Sequence, residues 1–159
     1  MTLFDDDFLF ACREDHQLAR RNMVKLDDLS EAPLLLLEDG HCLRDHALAA
    51  CRLTPSPRRD GFAATSLHTL VQMVDSGLGV TLLPRLALDA GILRGTDVTT
   101  RPLGDGQKSS GAARTIGLAW RRGTQRAKEF TLFGEALVAA MKQPGPPLQT
   151  PSDSTKKKA

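Results

Sequence analysis

Residues 66–84, SLHTLVQMVDSGLGVTLLP, constrain the fold of this chain more than any other stretch. Leu67, Leu70, Val71 and Val74 recur at helical spacing behind a Thr65-Ser66 pair suited to cap a helix. Gly77 falls where a helix commonly ends in a left-handed residue. An apolar run, residues 79–83, follows at once and is ended by Pro84. A capped helix, a glycine turn and a buried strand in so few residues form one α/β unit.

The same alternation recurs along the chain. FLFAC at 8–12 and PLLLL at 33–37 are expected as buried strands, the second ended by Glu38-Asp39-Gly40. Residues 42–52 have helical composition, and TPSP at 54–57 stops them. GFAA at 61–64 is a further strand candidate, and after Pro84 a weakly helical stretch leads to an expected edge strand at 98–100. GDGQKSSGAA at 104–113 has the composition of a flexible loop. TIGLAW at 115–120 is expected as a strand, and 125–141 as a helix with Phe130, Phe133, Leu137 and Met141 on one face. Strands alternating with helices predict an α/β sheet with some parallel pairing.

Composition narrows the function classes. The 159 residues suit one domain, and 41% apolar with 25% charged residues is ordinary for a globular protein. A net charge of +2 is too small to argue for nucleic-acid or membrane binding. Residues 143–159 are rich in Pro, Ser and Thr, carry three lysines at 156–158, and are expected as a disordered tail. With an acidic triplet at 5–7 directly after Leu3-Phe4 no secretory leader is expected, and no apolar run reaches the ~18 residues of a membrane span. The expected location is cytoplasmic, where cysteine pairs are more often redox-active, catalytic or metal-binding than structural.

Two of the three cysteines lie nine residues apart in EDGHCLRDHALAAC, residues 38–51. A helix starting at Cys42 separates the two Cα atoms by roughly 13 Å and turns them to opposite faces. A disulfide needs Cα atoms within about 7 Å. The helix and a Cys42–Cys51 bond therefore exclude each other. Cys42 would sit at a helix N-terminus, which favours a thiolate; His41 and Arg44 add positive charge, and Glu38, Asp39 and Asp45 oppose it. The competing reading makes both cysteines small apolar helix residues, with Cys51 facing the core after Leu48.

The other candidates carry less. Cys12, inside an apolar run, is expected to be inert core packing. His16 and His68 suit surface or capping roles, and His46 with His41 and Cys42 lacks the further ligands a metal site needs. Gly77 and Gly79 do not complete a dinucleotide-binding pattern. No metal and no cofactor are expected.

Taken in order, FLFACREDHQLARR, LLLLEDGHCLRDHALAAC, ATSLHTLVQMVDSGLGVTLLP and RTIGLAW resemble the effector domain of LysR-type transcriptional regulators, over residues 3–141. The 66–84 segment matches a family-wide pattern. GHCLRD with a second cysteine nine residues on is similar to members that sense hydrogen peroxide. The resemblance implies a Rossmann-like fold of the periplasmic-binding-protein type. Residues 4–108 would form its second α/β subdomain, and 114–142 the return strand and helix of an otherwise absent first subdomain. The apolar face of the last helix would then lie partly uncovered.

The same resemblance implies a hydrogen-peroxide-responsive activator, not an enzyme. Cys42 would be the peroxide-reactive residue and Cys51 the resolving one. His41, Arg44 and Asp45 fall within the motif, and Arg114 matches an arginine that approaches the reactive sulfur. Implied partners are a homo-oligomer (a tetramer in the family), a glutaredoxin- or thioredoxin-type reductant, and promoter DNA with RNA polymerase through an N-terminal domain that has no counterpart here; no membrane is implied. The chain is expected to be a fragment or a truncated gene product. Two other readings stay open: a thiol peroxidase cycling the same cysteines, and an effector domain that binds a small metabolite.

Overall fold

A computed structural model describes residues 1–53, 63–104 and 111–142. The expected stop signal at 54–57, residues 61–62, most of the 104–113 loop and the tail at 143–159 lie outside the described residues. The described residues divide into two compact units: those within Asp5–Ile116, and Met1–Phe4 with residues 117–142.

In the larger unit β1 (Thr2–Arg13) is the central strand. It pairs antiparallel with β4 (Thr81–Pro84) from Phe8↔Pro84 to Ala11↔Thr81. It also pairs antiparallel with β5 (Val98–Pro102), from Leu9↔Pro102 to Arg13↔Val98. The expected edge strand thus lies at the end of the β4–β1–β5 path. β6 (Ala113–Gly117) also pairs with β1, starting and ending earlier than the apolar run TIGLAW suggests. The expected parallel pairing joins β2 (Leu36–Leu37) to β3 (Ala63–Ala64), and a parallel bridge connects Leu34 to Val80.

β1 is covered on both faces because its side chains alternate between two apolar clusters. Phe8, Phe10 and Cys12 enter one, with Leu34, Leu36, Leu48 and Cys51. Ala11 enters the other, with Leu35, Leu70, Val71, Val74 and Leu83. A short 3₁₀ turn (Gln17–Arg20) and α1 (Asp28–Glu31), neither evident in the sequence, follow β1.

The 66–84 segment folds as its pattern predicts. In α3 (Leu67–Asp75), Ser66 Oγ accepts from the Thr69 amide at 3.1 Å, while Leu70, Val71 and Val74 are buried. Gly77 takes φ +77° after the helix. Gly79 is required for space: a Cβ there would lie 2.2 Å from the Pro33 carbonyl oxygen. That closeness lets the Val80 amide donate to Pro33 O at 3.0 Å and the Leu35 amide donate to Val80 O at 2.8 Å. Pro84 closes β4 and leads directly into α4 (Arg85–Asp89).

In the smaller unit Met1 and Leu118 exchange two hydrogen bonds of 2.9 Å. In α5 (Ala127–Lys142), Gly134 leaves room for the Met1 side chain, whose Sδ would lie 2.6 Å from an added Cβ. Phe130 packs against Trp120 with ring centroids 5.8 Å apart. Leu132, Phe133 and Met141 are exposed, so apolar surface on this helix is partly uncovered.

Candidate functional site

The two-cysteine segment forms α2 (Cys42–Ala50), with Cys42 its first residue and Cys51 its C-cap. Entry is set by Gly40 at φ +91° and by His41, extended at φ −80° and ψ 113°. The His41 side chain makes no capping bond, unlike that of Ser66 at the start of α3. Cys42 is exposed at this end. Arg44 pairs with Asp39, its own side chain only 10% exposed. Asp45, exposed in the first turn, places a negative charge where the helix dipole favours it.

Cys51 lies at the other end and in another environment. Its amide donates to Ala47 O at 3.1 Å, and its side chain enters the cluster that also holds Ala47 and Leu48. It is 2% exposed, and burial pushes its thiol up to about 11. Cys12 is fully buried; burial likewise pushes it up to about 11, with Asp15 adding to the shift and Arg101 opposing it. All three cysteines are free. Cys42 alone among them is open to solvent, and the nine-residue helix keeps its sulfur from the partner thiol by the geometry of the backbone.

His41, Cys42, Arg44 and Asp45 thus share one turn, with Cys51 at the far end of the same helix. Arg114 has a partner the sequence did not suggest. Its Nε and Nη2 donate to Asp6 Oδ2 at 3.0 and 2.9 Å, and Asp6 Oδ1 accepts from the Leu86 amide at 2.9 Å. Asp6 is therefore a long-range cap for α4 as well as the counter-ion of Arg114. An acidic triplet looks solvated, yet Asp6 stands two and four residues before Phe8 and Phe10, on the inward face of a strand. That alternation was the available signal.

His16 and His68 lie where capping and surface roles were expected. His16 Nδ1 accepts from the Leu18 amide at 3.1 Å and caps the 3₁₀ turn, while His46 and His68 are exposed. Two adjoining cavities of about 410 and 310 Å³ share His16 and Pro33. The charged groups of these cavities are already matched, Arg21 with Asp28 and Arg13 with Asp15.

The LysR substrate binding domain matches residues 1–142. The DNA-binding transcriptional dual regulator OxyR of Escherichia coli K12 is 40% identical over 144 residues, covering 87% of this chain and 44% of the relative. A probable hydrogen peroxide-inducible genes activator of Streptomyces viridosporus is 41% identical over 146 residues, covering 89% of this chain and 45% of the relative. The chain therefore spans under half the length of these curated relatives. Among solved structures, the reduced form of the regulatory domain of OxyR2 from Vibrio vulnificus matches with a TM-score of 0.73 and 38% identity. It covers 87% of this chain, which spans 63% of that domain.

Proposed function

The chain belongs to the LysR substrate binding domain family, and from that premise we propose that it is the redox-sensing region of a hydrogen-peroxide-responsive transcriptional activator. The observation that carries the reading is the contrast across α2: an exposed cysteine opens the helix and a buried one closes it. The Streptomyces viridosporus relative, named as a probable hydrogen peroxide-inducible genes activator, supports it.

In the proposed reaction the Cys42 thiolate attacks one peroxide oxygen. The O–O bond breaks, hydroxide leaves and takes up a proton as water, and Cys42 becomes a sulfenic acid. The Cys51 thiolate then attacks the Cys42 sulfur and expels a second hydroxide, which leaves as water, forming the disulfide. Overall, two thiols are oxidised and one peroxide is reduced to two waters. Closure requires Cys51 to lose its place in the core and α2 to unwind. His41 and Arg44 are proposed to support the thiolate and Asp45 to orient the turn. Arg114 would assist the sulfur only from the position in which Asp6 holds it.

A glutaredoxin- or thioredoxin-type dithiol in the cytoplasm would reverse the reaction by two exchanges. Assembly as a homo-oligomer, and action on promoter DNA and RNA polymerase through a DNA-binding domain, belong to the same proposal. The test is Cys51→Ser treated with stoichiometric peroxide and dimedone. A dimedone adduct on Cys42 alone supports the sensor, and an unmodified Cys42 in the folded chain contradicts it.

A further inference from the structure

Three helices of the larger unit end in the same hydrogen-bonded motif, and one of them carries a residue unsuited to it. At the end of α3, the Gly77 amide donates to Val74 O at 2.9 Å and the Leu78 amide to Met73 O at 3.1 Å. At the end of α4, the Gly91 amide donates to Leu88 O at 2.8 Å and the Ile92 amide to Ala87 O at 3.2 Å. At the end of α2, the Arg52 amide donates to Ala49 O at 3.1 Å and the Leu53 amide to Leu48 O at 2.9 Å. This is one paired-bond termination, which needs a left-handed residue just past the cap. Gly77 and Gly91 supply it at φ +77° and +80°. Arg52 supplies it at φ +54°, as the only non-glycine with positive φ among the described residues.

The contrast extends to the rest of the helix. α2 and α3 are both nine residues long. α3 has a side-chain cap at its start and buries Leu70, Val71 and Val74. α2 has no capping bond from its His41 side chain and, among its described residues, buries only Ala47 and Leu48. A residue with a Cβ is strained in the left-handed region, where glycine is not. The weakest helix of the pair is thus also the one that ends in a strained residue, immediately after Cys51.

We propose that Arg52 sets the threshold of the Cys42–Cys51 switch by making the end of α2 costly to keep wound. The inference rests on the reading of these two cysteines as a redox pair. Unwinding releases Arg52 from the left-handed region, so its strain favours the state in which the sulfurs can meet. It acts through the backbone beside Cys51 and leaves the first step, attack by Cys42 on peroxide, unchanged.

The test compares the reduced chain with Arg52→Gly and Arg52→Gln. Glutamine removes the charge but keeps the backbone strain; glycine removes both. After stoichiometric hydrogen peroxide and an acid quench, the linked Cys42–Cys51 peptide is followed in time by mass. Hydrogen exchange of the α2 amides and alkylation of Cys42 are measured in parallel. Arg52→Gly is expected to protect α2 and slow disulfide closure about three- to tenfold. Arg52→Gln should match the parent, and Cys42 should alkylate equally fast in all three. Equal closure in all three, or equal slowing in Arg52→Gly and Arg52→Gln, overturns the role of Arg52 and leaves the redox pair intact. If none forms the linkage, the redox reading itself fails and this inference with it; hydrogen exchange then still shows whether glycine steadies α2.

Discussion

Cys42 and Cys51 mark the two ends of one unbroken helix, the first exposed at its start and the second 2% exposed at its C-cap. Solvent reaches the first and not the second, and in the proposed switch the second becomes available when the helix gives way. Separate access and shared sequence together make an ordered two-step reaction possible.

Thiol labelling should follow burial. In the reduced chain, iodoacetamide at about pH 8 is predicted to modify Cys42 at least tenfold faster than Cys12 or Cys51, since both of the latter are buried with thiols held up to about 11. Peptide mass mapping of a time course measures this. Equal labelling of Cys51 in the folded protein would contradict the packing described.

Those two buried thiols also predict an alkaline limit to stability. Their folded values lie above the ordinary 9.0, so the neutral thiol is favoured in the native state. The stabilisation is complete below about pH 9 and is lost as pH rises towards 11, by on the order of 2–3 kcal/mol for each group. In a Cys42→Ser background, the urea midpoint should be flat from about pH 7 to 8.5 and fall above 9. Adding Cys51→Ala should remove part of that fall.

The Asp6–Arg114 pair should respond asymmetrically to substitution. The Asp6 side chain is 1% exposed and that of Arg114 20%. Arg114→Gln strands a buried carboxylate and should cost about 3–5 kcal/mol. Asp6→Asn keeps an acceptor for the Leu86 amide and leaves the arginine a route to water, so it should cost about 1–3 kcal/mol. Urea unfolding of the two variants, and of the pair combined, measures the difference and the coupling.

Gly79→Ala should be among the most damaging small substitutions. Its φ is ordinary; the obstacle is the Pro33 carbonyl 2.2 Å from the new methyl group. Relief requires separating the Leu34–Val80 bridge, at a cost of at least about 2 kcal/mol in urea unfolding.

The sequence made some of this plain. The helix–glycine–strand order of 66–84 is local, and its signals agree: Ser66 caps, Gly77 turns and Pro84 closes the strand. The placement of Cys42 at the start of α2 and Cys51 at its end was legible for the same reason, since helical spacing is a property of the chain itself. Asp6 was hidden because its partner is 108 residues away: its alternation with Phe8 and Phe10 signals that it turns inward but not what it meets there. Arg52 was hidden for a different cause. The positive φ comes from the termination of α2, and the expected helix ran through residue 52 because arginine is a good helix former. The 3₁₀ turn and α1 are too short to show a helical period.

The most direct measurement is a non-reducing tryptic mass map of the folded chain after one equivalent of hydrogen peroxide. A Cys42–Cys51 linked peptide, accompanied by loss of hydrogen-exchange protection across α2 and with Cys12 still a free thiol, is the predicted result. Cys42 carried on to sulfinic acid while Cys51 stays a buried, free thiol and α2 stays protected would contradict the account.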